Sequence, residues 1–138
     1  MTPPNEKHND ATVNRPEGTR TLNAPALLIN IPDYIRQIKN EVAWQDRDRN
    51  AITLLHNEFQ RIVLIALKEG AEMTKHAVDA ALTIQLLDGR LWVDTEAQSF
   101  SMDNGEVAAI HPGLSHSVFA EKESVLLLTL AGNHKGEF

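Results

Sequence analysis

The sequence predicts an all-β domain, a sandwich, jelly roll or small barrel, with one short helix ahead of the strands. Three observations carry this. From residue 51 onward, eight short runs rich in Val, Ile, Leu, Phe and Thr follow one another, at 51–56, 61–67, 81–87, 90–94, 98–102, 106–110, 116–120 and 124–130. Turn residues separate them: Asn57 and Glu58, Lys68 to Gly70, Asp88 and Gly89, Asp103 to Gly105, Pro112 and Gly113. Within 82–86, Leu82, Ile84 and Leu86 alternate with Thr83 and Gln85, as in a strand with one buried face. Asp88 and Gly89, set between two such runs, are the strongest short-range hairpin signal in the chain.

Ahead of the strands the composition changes. Residues 1–24 hold three of the six prolines, no aromatic residue, and only Met1, Ala11, Val13, Leu22 and Ala24 as apolar residues. So little hydrocarbon does not offset the entropy of ordering, so a disordered tail is predicted over 1–24 and a single domain over 25–138. The tail's three acids and three bases cancel, which leaves the whole net charge of −6 on the domain. A helix is predicted over 32–39. Pro32 suits its first turn, Tyr34, Ile35 and Ile38 share one face, and Asp33 and Lys39 match the helix dipole. The alternating charges from Asp46 to Asn50 read as a solvated turn with local ion pairs.

Charge and composition exclude several functions. An acidic chain is a poor general binder of phosphate backbones, so nucleic acid is not an expected partner. The longest apolar runs, 62–67 and 125–128, are too short to span a bilayer, and no secretory signal is visible, so membrane partners are not expected and a cytoplasmic location is. Without cysteine the chain has no disulfide framework, thiolate metal site or thiol nucleophile.

Two stretches carry most of the chemical information. The first contains Gly70, His76, Val78, Leu82 and Gly89; the second contains Gly105, His111, Pro112, Gly113, His116 and Ala120. In this spacing the chain resembles the cupin family over roughly residues 40–131. Gly70, His76 and Gly89 match that family's first motif, and Gly105, Gly113 and His116 its second. Val78 stands where the motif has a second histidine and Leu82 where it has a glutamate. His111 stands in the proline position, with Pro112 one place later, and Ala120 in the asparagine position. The resemblance implies a double-stranded β-helix, that is, a jelly-roll barrel, and a homodimer, to which the exposed edges of an all-β domain also give a motive.

In metal-binding cupins three histidines and the glutamate hold a divalent metal inside the barrel. Here His76 and His116 alone occupy ligand positions, and a catalytic zinc or non-haem iron site wants a third protein ligand. Candidates for it are His111, which a turn at Pro112 and Gly113 brings toward His116, and His56 at the end of an earlier strand; Gln85 has the wrong strand parity. If His76 points inward, Val78 and Leu82 share its parity, so hydrocarbon fills the family's ligand positions. The expected pocket is formed by His76, His116, Val78 and Leu82, with Trp92 and Phe119 as candidate lining residues. The expected function is small-molecule binding in the barrel cavity by a domain whose metal motifs are degenerate, with no cofactor firmly implied. The alternatives are a metal-dependent oxygenase or isomerase using Zn, Fe, Mn or Ni on His76, His116 and a further ligand, and a barrel that mainly dimerises.

Overall fold

The computed structural model describes residues 7–9, 11, 12, 15, 18 and 20–132. Half of the tail expected over 1–24 falls outside this set. Its described part holds two short strands, β1 (Lys7–Asn9) and β2 (Arg20–Asn23), paired antiparallel as a ribbon.

Helix α1 (Ile31–Asn40) begins where Asn30 caps it, the Asn30 side chain accepting a hydrogen bond from the Asp33 N–H at 3.1 Å. Pro32 lies in its first turn, where a missing N–H costs no hydrogen bond. A second helix follows, α2 (Val42–Asp46), which the sequence analysis does not anticipate; at five residues it is too short to show an apolar period. Ile38 and Trp44 bury their side chains against Ile52, Leu54, Leu64, Ala66 and Val125 on the outer face of the sheet beneath. Tyr34 and Ile35 pack at the edge of the same cluster.

The strands form two main sheets. One has the order β3 (Arg49–His56), β4 (Gln60–Leu67), β11 (Ser124–Ala131), β6 (Ala81–Asp88), β9 (Val107–Ile110). The other has the order β5 (Glu72–His76), β10 (His116–Ala120), β7 (Leu91–Thr95), β8 (Ser99–Met102). All pairings are antiparallel. Between the sheets lies the main core, with Leu82, Ile84 and Leu86 from one side and Leu91, Val93 and Val118 from the other, each at most 3% exposed. Strand β4 is covered on both faces: Ile65 and Leu67 enter this core while Leu64 and Ala66 meet the helices. That is why its sequence is a continuous apolar run rather than an alternation.

Three expectations are corrected. The closed jelly-roll barrel is not formed: the larger sheet ends at β3 and β9, the smaller at β5 and β8, and no pairing joins these edges among the described residues. The physical reason lies at the edges. Arg15 Nη2 donates to the Ala51 carbonyl at 2.7 Å and Arg20 Nε to the Thr53 carbonyl at 2.8 Å, so side chains rather than a strand occupy the outer acceptors of β3. Strand β9 stops before Pro112, which has no N–H to extend a ladder. With two helices the fold is mixed α/β, not all-β with one helix. Strand β5 was also not among the predicted strands, because Glu72, Thr74 and Lys75 leave it with almost no buried residue.

At the β6–β7 hairpin Gly89 has φ +117°, and a side chain there would run into Ser124 Oγ and the Glu123 carbonyl. The turn therefore closes tightly over the start of β11.

A buried polar knot joins the helices to β3. Glu41 accepts hydrogen bonds from Arg15 Nε, Asn50 Nδ2 and Gln37 Nε2 at 2.9–3.1 Å, and Asn50 also donates to the Ile38 carbonyl. Asn50, the last residue of the charge run read as solvated, is thus buried. Burial alone would push the Glu41 carboxyl up; the hydrogen bonds from Arg15, Asn50 and Gln37 outweigh it and hold the carboxyl below the ordinary glutamate range. Replacing Glu41 with Ala leaves three donors without their acceptor and should cost about 2 kcal/mol of stability at pH 7, read by urea denaturation. Because the folded state favours the carboxylate, the wild type should hold this stability above the ordinary glutamate pKa and lose it as pH falls below. The Glu41→Ala variant should lack that step.

Candidate functional site

The site begins with a cross-strand pair. His116 opens β10 and His76 closes β5; the register places them opposite each other, with ring centroids 4.7 Å apart and planes tilted by 50°. Two residues further along β10, Val118 faces Met73, three residues back along β5. The bulge that absorbs this mismatch puts Met73 and His76 on one face, although plain alternation would separate them. Gly113, at φ +80°, donates its N–H to the Val78 carbonyl at 2.8 Å and so ties the segment after β5 to the loop before β10.

Both imidazoles are oriented by main-chain carbonyls. His76 Nδ1 lies 3.0 Å from the Thr74 carbonyl and His116 Nδ1 lies 3.2 Å from the Leu114 carbonyl. A carbonyl only accepts, so each Nδ1 carries the hydrogen and donates, which leaves Nε2 as the acceptor in the neutral ring. His116 is 3% exposed, whereas His76 is exposed. Burial pushes the His116 pKa down; the bond to the Leu114 carbonyl offsets part of this, and neighbouring His76 adds to the depression.

The pair borders a cavity of ≈ 320 Å³ between the sheets. From the larger sheet, Leu82 and Ile84 of β6, Leu128 and Leu130 of β11, and Val63 of β4 supply hydrocarbon; Met73 and Val78 close the other side. The remaining described wall residue is Arg61, which sequence reasoning missed. The register sets Arg61 beside Leu130, and Leu130 beside Leu82, in one row across the sheet. Its Nη2 donates to Thr53 Oγ1 at 3.3 Å, and burial pushes its pKa down. The sequence signal was available: Arg61 has the parity of Val63, Ile65 and Leu67, the β4 residues turned toward the inter-sheet core. The two-sided apolar run of β4 hid it.

The structure brings His76, His116, Val78 and Leu82 onto one cavity and leaves the other predicted lining residues elsewhere. Trp92 and Phe119 are opposite each other on β7 and β10 and are 42% and 40% exposed. Strand alternation sends them to the outer face, because Val93 and Val118 take the core face. As proposed third ligands, His111 is exposed in the β9–β10 loop, and His56 is the register partner of Arg61 but not part of the wall. Gln85 pairs with Val107 and Leu127, on the face opposite to Leu82. The side chain of His8, and His134 entirely, lie outside the described residues.

The donor set does not fit a divalent metal ion. Among the described residues no group of three or more His, Cys, Asp and Glu is placed to hold one. Beside the two imidazoles the wall carries the hydrocarbon of Val78 and Leu82. Two imidazoles without a carboxylate fall short of the three protein ligands of zinc sites and of the facial triad of iron sites. No helix among the described residues is long and apolar enough to cross a membrane.

Comparison with known proteins bears on the fold. No protein-family model and no curated protein matches the chain. Solved structures do. A cupin-2 domain containing protein from Shewanella frigidimarina is 16% identical, over 76% of this chain and 95% of its own, with a TM-score of 0.61. An RmlC-like cupin from the same organism is 19% identical over 66% of this chain and 81% of its own, with a TM-score of 0.61. A cupin superfamily protein from Desulfitobacterium hafniense is 12% identical over 60% of this chain and 76% of its own, with a TM-score of 0.58. The chain therefore has a cupin-type fold, with its sheets left open among the described residues.

Because the fold favours neutral His116, the unfolded chain binds more protons just below the ordinary histidine pKa of about 6.5. The stability contributed by His116 should be fully present above that pH and should fall as pH drops below it. Urea midpoints measured from pH 8 to pH 5 should show the decline in the wild type and a shallower one in His116→Gln.

Proposed function

We propose that the chain binds a small organic molecule in the cavity between its two sheets and does so without a resident metal ion. One observation carries this reading: a ≈ 320 Å³ cavity walled by hydrocarbon from both sheets, with oriented imidazoles at its border and Val78 and Leu82 where a cupin metal site has donors. Small-molecule sites combine a mainly apolar wall with a few fixed polar groups, and this wall has that composition. The hydrocarbon anchors the body of the ligand, while the Nε2 atoms of His76 and His116 accept hydrogen bonds from it. A metal-dependent oxygenase or isomerase needs a third donor beside the two imidazoles, and no described residue supports that reading.

The test is native mass spectrometry and elemental analysis of the purified full chain. A retained or added small molecule should bind the wild type and be lost, at unchanged fold by circular dichroism, from Leu82→Trp, whose indole fills the cavity. A stoichiometric metal that disappears in His116→Ala would overturn the proposal, and so would ligand binding that Leu82→Trp leaves intact.

A further inference from the structure

The two imidazoles at the cavity border offer a ligand the same chemistry. In each, Nδ1 is bonded to the carbonyl two residues earlier in the chain, that of Thr74 for His76 and that of Leu114 for His116. The repeated arrangement fixes one tautomer twice, so the nitrogen that each neutral ring keeps for a ligand is Nε2, an acceptor. His116 is 3% exposed, and an acceptor so far from bulk water is costly to leave unmatched. A carbonyl, ether or carboxylate oxygen gains no hydrogen bond from such a nitrogen; a hydroxyl does.

Resting on the reading of the cavity as a small-molecule site, we infer that its ligand is a compact, uncharged vicinal diol, whose two hydroxyls donate one to His76 Nε2 and one to His116 Nε2. The cross-strand register sets the two rings against each other, with centroids 4.7 Å apart, so donors that meet both must sit close together in the ligand. Hydroxyls on neighbouring carbons satisfy that condition. The hydrocarbon body of the ligand then lies on Leu82, Ile84, Leu128 and Leu130. The bulge in the β5–β10 pairing extends this apolar surface, because it turns Met73 to the same face as His76. Size agrees as well. At about 30 Å³ per water-sized atom, ≈ 320 Å³ holds roughly ten non-hydrogen atoms, enough for a six-carbon ring with its two hydroxyls.

The experiment titrates the full chain at pH 8, above the ordinary histidine pKa of about 6.5, with a chelator present. The probes are cis-cyclohexane-1,2-diol with two donors, cyclohexanol with one, cyclohexanone, which only accepts, and the anion cyclohexanecarboxylate. Isothermal calorimetry gives the affinities and amide chemical shifts locate the binding. At about five-fold per hydrogen bond, the diol should bind about five-fold more tightly than cyclohexanol, and cyclohexanol about five-fold more tightly than cyclohexanone. In nitrogen-15-labelled protein the diol should shift both Nε2 resonances and cyclohexanone neither. In His76→Phe, a change at an exposed position, the affinities of diol and cyclohexanol should come within about two-fold of each other. The ranking on the wild type and the Nε2 shifts do not depend on any variant folding. Affinities that do not rise with the number of donors, or an undiminished diol preference in a folded His76→Phe, overturn the diol assignment while leaving the cavity a small-molecule site. Cyclohexanecarboxylate that binds more tightly than the diol overturns it in favour of an anionic ligand. Failure of every probe at millimolar concentration overturns both the assignment and the reading of the cavity on which it rests.

Discussion

Everything about the site depends on the contact between two sheets across one hydrocarbon layer. Leu82, Ile84 and Leu86 of β6 and Leu126 and Leu130 of β11 form one side of it; Leu91, Val93, Val118 and Ala120 form the other. Where both sides carry bulky residues the layer is closed. Toward the start of β10 and the end of β5 the wall instead carries His116, His76 and Val78, and there the layer opens into the cavity. Apolar burial is non-directional and scales with area, so it holds the two sheets together without specifying what fills the gap that remains.

The cavity is positioned by elements that do not themselves reach it. Helices α1 and α2 cover the back of β3 and β4, which frees the front of β4 to place Arg61 and Val63 in the wall. The knot of Glu41, Arg15, Asn50 and Gln37 fixes those helices, and the side chains of Arg15 and Arg20 occupy the β3 edge that a closing strand would need. A cupin-type arrangement with open sheets follows. Val78 and Leu82 set a hydrophobic surface beside the two imidazoles, whose tautomer is set by main-chain carbonyls.

Much of this was legible in the residues. Alternation in 82–86, the turn at Asp88 and Gly89, and Pro32 at the start of α1 are local signals, and local signals survive in any tertiary setting. The spacing of Gly70, His76, Gly113 and His116 anticipated which parts of the chain would meet, and the shared parity of His76, Val78 and Leu82 anticipated a common surface. Less legible were the features that need a second element. Trp92 and Phe119 look like lining residues until Val93 and Val118 claim the core face. Arg61 sits in a run that is apolar on both faces, and which face looks at the cavity depends on where the helices pack. Strand β5 lacks a buried side from which a period could be read, and its bulge breaks the alternation that would relate Met73 to His76.

The sequence by itself determined the strands with one buried face, the turns that join them and the first helix, because each is written in neighbouring residues. Only the tertiary structure decided that the sheets stay open, that a second helix covers β3 and β4, and that an arginine shares a cavity with two histidines. Those outcomes depend on which backbone edges and side-chain faces find partners far away in the chain, and no short-range pattern encodes that competition.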